Sequence, residues 1–292
     1  MEKYLADFFV EFEYERDDAA YLTEAYGRLV GTEIGRKCLD EAMTIYDRDA
    51  LCDYDRILSL ADDAARESGV LEYTAELIFY LCLTPKLRQR SLEAGLYEEC
   101  YRGCAFDLRY KLGECKRMHG VRGISTGLWH GKFFRLALYT IGRLQFEIVP
   151  FEAEYRRDGI TLNPDTRVIN IHVPGSGEPL TPEACSSSYL RAKAMLGGEI
   201  GMEPCPFICR SWLLFPEQER MLSKDSNVYK FFKSFDVYYF SYYKNRQSLE
   251  RVFNTMERNP DRLVAATSMQ RAYLDHIRSG GKLGCGYGVI WI

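Results

Sequence analysis

The sequence lacks several features that would assign it to familiar classes of protein. It has no run of about 18 uncharged apolar residues, so no segment is expected to span a membrane. Its net charge of −4 argues against a protein that binds nucleic acid mainly through electrostatic attraction. The first residues also lack the basic start and apolar centre of a signal peptide. We therefore expect a cytoplasmic protein with neither a nucleic-acid nor a membrane partner.

The ten cysteines lack the compact spacing of a disulfide framework. Cys100 and Cys104, and likewise Cys115 and His119, are four residues apart, which places each pair on one helix face where a metal is conceivable. Zinc sites usually contain tighter C-x-x-C pairs, however. Reduced, buried cysteines are the better interpretation, and we predict no metal.

Residues 1–120 have the apolar spacing of α-helices. Apolar side chains surround segment 73–83 on nearly all sides, which predicts the buried centre of this half. Pro85 follows, as expected near a helix start or just past a helix end. The predicted helices cover 19–29, 32–46, 55–65, 73–83 and 96–117.

After His119 the pattern changes from helical to extended. Segments 133–141 and 142–149 predict two antiparallel strands, and Arg143, Gln145 and Glu147 share the polar side of the second. Segment 156–164 reads as a polar surface link. The remaining strands are predicted at 168–173, 206–215, 235–243 and 284–292, with helices at 184–196, 228–232 and 267–277. The fold class is therefore α+β, with a helical domain over 1–128 and a mixed β-sheet flanked by helices over 129–292.

The stretch V168-I-N-I-H-V-P-G-S-G-E-P-L-T-P-E-A-C predicts a strand, a glycine turn and a helix. Thr181 as N-cap and Pro182 in the first turn are typical helix start signals. The backbone N–H groups of such a turn, together with the helix dipole, favour an anion such as a phosphorylated cofactor. The spacing fits neither common nucleotide-binding glycine motif, and most turns of this kind bind nothing, so a purely structural turn stays open.

Five separated segments, in order, resemble one family. The segments are G142-R-L-Q-F-E, I171-H-V-P-G-S-G-E-P-L-T-P-E-A-C, C209-R-S-W-L-L-F-P, D225-S-N-V and R271-A-Y-L-D-H-I-R-S-G-G. The family they resemble is a bacterial acyltransferase-domain family that pairs an N-acyltransferase N-terminal domain with a C-terminal domain similar to the GCN5-related N-acetyltransferases (GNATs). The resemblance implies a GNAT-like sheet in the second half and an acetyl-CoA or other acyl-CoA co-substrate.

The same resemblance implies where the donor binds. Strands 168–173 and 206–215 would diverge to admit the pantetheine, and the turn 175–181 would hold the pyrophosphate. This chain departs from the usual Q/R-x-x-G-x-G/A signature, and Glu178 would repel phosphates. The residues expected to contact acyl-CoA are Val173, Gly175, Ser176, Gly177, Thr181, Ser211 and Asn227.

Three residues are candidates for the chemistry of thioester aminolysis, which needs a base, oxyanion donors and an acid for the leaving thiolate. His172, at the end of the central strand, is the candidate base, although a strand histidine is more often structural. Glu147 is the alternative base, acting through water, or else a solvent-facing residue. Tyr229 lies where such enzymes often place the acid. Cys209 is an unsuitable nucleophile because an apolar strand raises the pKa of a thiol.

The function predicted is acyl-CoA-dependent transfer of an acyl group, expected to be acetyl, to an amine by direct attack in a ternary complex. The acceptor would be a small molecule, with a protein or carrier protein as a further possible partner. The alternative is a non-catalytic ligand- or partner-binding protein that retains a degenerate GNAT fold. A ribosome-associated or nucleic-acid module is disfavoured by the acidic balance.

Overall fold

The computed structural model describes residues 1–157, 159–243 and 247–292. The chain forms two compact units, Met1–Thr140 and Ile141–Ile292. The first is helical and the second is built on a β-sheet, so the predicted α+β class is confirmed.

The first unit is a helical assembly around a central helix, α5. The predicted buried centre is confirmed, since Leu77 to Leu83 are all at most 2% exposed. No helix among the described residues combines the length and apolarity needed to cross a bilayer. The helices are α1 (Glu2–Glu11), α2 (Arg16–Gly31), α3 (Glu33–Arg48), α4 (Tyr54–Ser68), α5 (Glu72–Glu93), α6 (Glu98–His119) and α7 (Gly127–Phe134).

Pro85 lies inside α5, so its expected position near a helix end is wrong. Proline has no N–H to donate to the carbonyl four residues earlier, which here belongs to Leu81. The hydroxyl of Thr84 donates to that carbonyl instead, at 2.6 Å. A local side-chain hydrogen bond thus satisfies the acceptor that proline leaves vacant, and α5 continues through it.

The strand predicted over 133–141 is mostly absent. Helix α7 ends at Phe134, and only Tyr139–Ile141 form a strand, β1. Phe133 and Phe134 are 2% and 0% exposed within the helical core, and an added Cβ at Gly131 would lie 2.9 Å from the Tyr54 ring. Packing onto the helical core therefore overrides the local extended preference of this aromatic segment.

The second unit is organised on a mixed sheet with strand order β1-β2-β5-β6-β8-β7. β5 and β6 are parallel, whereas the pairs β2–β5, β6–β8 and β7–β8 are antiparallel. A separate hairpin, β3–β4, replaces the predicted surface link, of which Asp158 lies outside the described residues. The strands are β2 (Leu144–Pro150), β3 (Tyr155–Arg157), β4 (Ile160–Leu162), β5 (Arg167–His172), β6 (Pro206–Ser211), β7 (Asp236–Tyr242) and β8 (Gly284–Trp291).

The two faces of this sheet are covered differently. On one face, helix α8 (Pro182–Ile200) places Tyr189 with its ring centroid 6.5 Å from that of Phe146 and 5.9 Å from that of Phe207. On the opposite face, residues of the β3–β4 hairpin pack over Val168 and Val289. On β5 this hydrophobic cluster includes Val168, near the amino end of the strand. The remaining helices are α9 (Gln218–Met221), α10 (Asn227–Lys233), α11 (Gln247–Phe253) and α12 (Ser268–Arg278).

Alternate glycines on β8 allow a backbone turn to lie directly on the sheet. The 3-10 turn Trp212–Leu214 follows β6 and crosses this strand. A Cβ added to Gly286 would lie 1.9 Å from the carbonyl oxygen of Leu214, and one added to Gly288 would lie 2.9 Å from the Leu214 side chain. The G-C-G-Y-G segment of the sequence therefore provides close approach of backbone to backbone.

Candidate active site

The parallel strands β5 and β6 pair over a short length only. Their register joins Ile169 to Phe207 and Asn170 to Ile208. β5 nevertheless continues to His172, paired with β2, and β6 continues to Ser211, paired with β8. Within the described chain, no β5–β6 pairing therefore joins the carboxyl ends of the two strands, and we refer to this unpaired stretch as the gap. Divergence of the strands to admit a donor stays a prediction.

A glycine-containing loop leads from β5 to α8 on one side of this gap. Gly177 has a φ of +82°, a conformation that favours glycine. Gly175 and Gly177 are exposed, and no described residue accepts a hydrogen bond from the backbone N–H of either glycine or of Ser176. The Thr181 hydroxyl accepts from the Ala184 N–H at 3.2 Å, which confirms the predicted N-cap. The loop is thus open, and it leads into the positive end of a helix dipole.

Arg143, in the turn that precedes β2, donates hydrogen bonds from its side chain to the backbone of this loop. Its Nε donates to the carbonyl oxygen of Glu178 at 3.0 Å, and its Nη1 donates to that of Pro174 at 3.2 Å. The backbone N–H of Arg143 donates to the Ser188 hydroxyl at 2.9 Å, which ties the turn to α8. A guanidinium therefore holds the backbone of the loop at both Pro174 and Glu178. Sequence reasoning placed Arg143 on the polar side of β2 and missed this role.

The polar side of β2 is buried. Arg143, Gln145 and Glu147 are 9%, 4% and 6% exposed, so the reading of Glu147 as a solvent-facing residue is wrong. In the β2–β5 register Glu147 lies opposite Asn170, and Gln145 lies opposite His172. Gln145, Glu147, Asn170 and His172 therefore share one face of the sheet beside the gap.

Two of these side chains form a hydrogen-bonded pair. His172 Nε2 lies 2.8 Å from Glu147 Oε1, and the side-chain amide of Asn170 donates to the same oxygen at 3.1 Å. We assign the Nε2 proton to this bond because a carboxylate oxygen only accepts. In that tautomer the lone pair is on Nδ1, as a base requires. The structure therefore brings together two residues that the sequence proposed as alternatives.

The other predicted site residues lie at the carboxyl ends of β5 and β6 and on α10. The Ser211 hydroxyl accepts from the Leu213 N–H at 3.2 Å and so caps the 3-10 turn. Asn227 begins α10, whose N-cap Ser226 accepts from the Tyr229 N–H at 3.2 Å. The ring centroid of Tyr229 lies 6.3 Å from that of Phe232. Val173 is the first residue after β5. Contacts of these residues with acyl-CoA stay predictions.

The helical unit contains a second group of chemically capable side chains. Cys104 Sγ lies 3.7 Å from His130 Nε2, and His130 Nδ1 lies 3.5 Å from Asp107 Oδ2. All three are at most 2% exposed. Burial raises the pKa of the Cys104 thiol well above its usual value and lowers the pKa of His130. Both changes disfavour a thiolate–imidazolium pair, so this cluster is structural.

Comparison with models of protein families shows which family this chain belongs to. The GNAT-like C-terminal domain matches residues 138–290, more than half of the chain, and the N-acyltransferase N-terminal domain matches residues 3–136. The chain belongs to the GNAT-like C-terminal domain family. Within the described residues of this GNAT-like protein, no group of three or more metal-ligating side chains is placed to hold an ion.

Solved acyltransferases share the fold of this GNAT-like protein. One, in complex with decanoyl-CoA and teicoplanin, is 21% identical with a TM-score of 0.66, over 98% of this chain and 99% of that one. An acyltransferase variant in complex with octanoyl-CoA is 22% identical with a TM-score of 0.66, over 99% of both chains. No curated protein sequence matches this one. The GNAT-like protein therefore has an acyltransferase fold over its whole length.

Proposed function

We propose that this protein transfers an acyl group from acyl-CoA to an amine of a small-molecule acceptor, by direct attack in a ternary complex. The observation that carries the proposal is the gap between β5 and β6, bordered by the open glycine turn and by the His172–Glu147 pair. Acyltransferases of the same fold have been solved with acyl-CoA and with teicoplanin, which supports a small-molecule acceptor.

The donor would enter the gap with its pyrophosphate at the turn 175–181. The N–H groups of Gly175, Ser176 and Gly177 would donate to phosphate oxygens, and Thr181 would hold the start of α8 in place. Arg143 would supply positive charge from below. The pantetheine would lie between the strands, near Ser211 and Asn227. The Val173 N–H would then polarise the thioester carbonyl.

The reaction would proceed without a covalent enzyme intermediate. The acceptor nitrogen attacks the thioester carbonyl, and His172 takes the proton that the amine loses. Glu147 orients the imidazole and stabilises its protonated form. The tetrahedral intermediate then collapses, so that the C–N bond remains, the C–S bond breaks and the thiolate leaves. Tyr229 is the proposed donor of a proton to that thiolate.

The acyl chain is proposed to be longer than acetyl. The sequence favoured acetyl, but acyltransferases of this fold have been solved with decanoyl- and octanoyl-CoA. Release of free CoA thiol, measured with acetyl-, octanoyl- and decanoyl-CoA and a panel of amines, tests both the activity and the chain length. Thermal-shift titrations with the same thioesters test donor binding separately. If none of the three thioesters stabilises the protein at millimolar concentration, the proposal is excluded.

A non-catalytic binding protein is the second candidate. The observation that favours it is Glu178, which is exposed on the same turn that would bind the pyrophosphate. Calorimetry of CoA with the native protein and with Glu178→Gly separates the two functions. Affinity that is measurable in the native protein supports the transferase. Affinity that arises only in the variant supports the binding protein.

A further inference from the structure

One row of side chains runs across the sheet from the catalytic pair to the far edge. Asn170 pairs with Ile208, and His172 and Arg210 each lie two residues further along the same strands, on the same face as that pair. Arg210 lies opposite Tyr287, which lies opposite Tyr239. Neighbouring residues in register point to the same face of a sheet. His172 and these three residues therefore share one face, with the gap between His172 and Arg210.

The part of this row beyond the gap is open to solvent and combines a cation with aromatic rings. Arg210 is exposed, and its guanidinium lies 5.0 Å from the centroid of the Tyr287 ring. The rings of Tyr239 and Tyr287 meet edge to face at 5.2 Å, and Tyr239 is 57% exposed. We refer to Arg210, Tyr287 and Tyr239 as the aromatic shelf.

The aromatic shelf differs from the rest of its face in two ways. Next along the same strands, Ile208 and Val289 pack with the hydrophobic cluster of the β3–β4 hairpin, so that part of the face is already covered. In addition, no carboxylate of the described residues pairs with Arg210, whereas Arg167 at the opposite end of the same sheet pairs with Glu199 at 2.8 Å. The shelf thus offers a guanidinium that has no carboxylate partner among the described residues and that lies beside one exposed and one half-buried ring.

We propose that the aromatic shelf recognises the acceptor, and that the acceptor is an aromatic amine carrying a carboxylate. A guanidinium binds a carboxylate through two parallel hydrogen bonds, and its stacking on Tyr287 limits its freedom before binding. The tyrosine rings provide edge and face contacts for an aromatic group. Neighbouring strands are about 4.8 Å apart and more where they diverge, so an amine close to the bound carboxylate reaches the gap that His172 borders. This assignment depends on the proposed function.

The test uses the whole chain and a pair of probes that differ in one functional group. L-tyrosine has a carboxylate where L-tyrosinamide has a neutral carboxamide, and L-leucine lacks the ring. Calorimetry without CoA should show tyrosine binding about tenfold more tightly than tyrosinamide, the difference that one charged contact typically makes. Arg210→Met should make the two affinities equal, and Arg210→Lys should keep part of the difference. Tyr239→Leu should lower the affinity for L-tyrosine toward the affinity for L-leucine.

The matched control is Arg220→Met, because the side chain of Arg220 is 83% exposed and lies on α9. It should leave the preference for tyrosine unchanged. Equal affinities of the native protein for tyrosine and tyrosinamide, or no binding of either at millimolar concentration, would overturn the assignment. Binding and turnover of decanoyl-CoA with carboxylate-free amines would meanwhile leave the proposed function intact. Absence of acyl-CoA binding by the native protein, in contrast, would count against the proposed function itself.

Discussion

His172 Nε2 lies 2.8 Å from Oε1 of Glu147, a buried carboxylate on the neighbouring antiparallel strand. The register explains the contact, because Glu147 is directly opposite Asn170 and diagonal to His172 on the same face. A buried carboxylate that accepts from Nε2 leaves the lone pair of the imidazole on Nδ1. The two residues therefore form one hydrogen-bonded pair, and the role of that pair as the base stays a proposal.

Substitution of this pair should reduce turnover without reducing donor affinity. His172→Gln should lower kcat by about 10²–10⁴-fold, the usual contribution of a positioned general base. Glu147→Gln should lower kcat less, because the imidazole remains. Since the two act as a unit, the double variant should be no slower than His172→Gln alone. Steady-state kinetics with calorimetry of CoA measure both quantities, and additive losses would show that the residues act separately.

Arg143 should matter for acyl-CoA affinity, because its guanidinium holds two carbonyls of the turn 174–178. Arg143→Met removes both hydrogen bonds and the positive charge, so CoA should bind about tenfold more weakly. The control is Arg167→Met, a strand arginine at the other end of β5 that pairs with Glu199. Calorimetry should show that Arg167→Met binds CoA as tightly as the native protein does. If both variants bind CoA equally weakly, the loss comes from the change in net charge and not from the position of Arg143.

Gly286→Ala should destabilise the second unit, because the added Cβ would lie 1.9 Å from the Leu214 carbonyl oxygen. We expect a loss of about 1–3 kcal/mol in the free energy of unfolding, as in other overpacked sites. Gly198→Ala is the matched control within α8, where no atom lies within 4 Å of the new Cβ. It should stabilise the helix by about 0.5–1 kcal/mol. Denaturant unfolding measures both, and equal effects would contradict the packing argument.

Glu76 should make the helical unit less stable as pH rises. Burial, followed by the charges of Asp62 and Glu72, raises the pKa of Glu76 from 4.5 to about 7. The folded state therefore binds a proton that the unfolded state has lost, so the free energy of unfolding falls as pH rises through this interval. Glu76→Gln should raise Tm over the native protein more at pH 8 than at pH 5. A constant difference between the two pH values would count against this assignment.

His130 should make the helical unit less stable as pH falls, the opposite of the effect of Glu76. Burial lowers its pKa from 6.5, against the raising effect of Asp107. The unfolded chain then takes up a proton that the folded state excludes, so the free energy of unfolding falls as pH drops below about 6.5. In His130→Gln, Tm should fall less as pH drops below about 6.5, while the fall of Tm at higher pH that Glu76 causes should remain. If Tm of the variant falls on the acid side as steeply as that of the native protein, groups other than His130 cause the fall.

Sequence patterns predicted the local features well and the contacts between distant segments poorly. The N-cap at Thr181 depends on neighbouring residues, and the structure has it. The alternation of β2 predicted a strand, but it did not show that the polar side of that strand is buried. The burial of Glu147 depends on β5, which follows β2 at a distance along the chain.

For this protein the sequence alone determined the α+β class, the strand–turn–helix around Gly175–Thr181 and the resemblance to an acyltransferase family. Only the tertiary structure decided that Arg143 supports that turn, that Glu147 and His172 form one pair, and that Arg210 lies on the same face of the sheet. The reason is physical. Caps and periodicity arise from interactions within a few residues, whereas strand register and burial depend on segments that meet only when the chain folds.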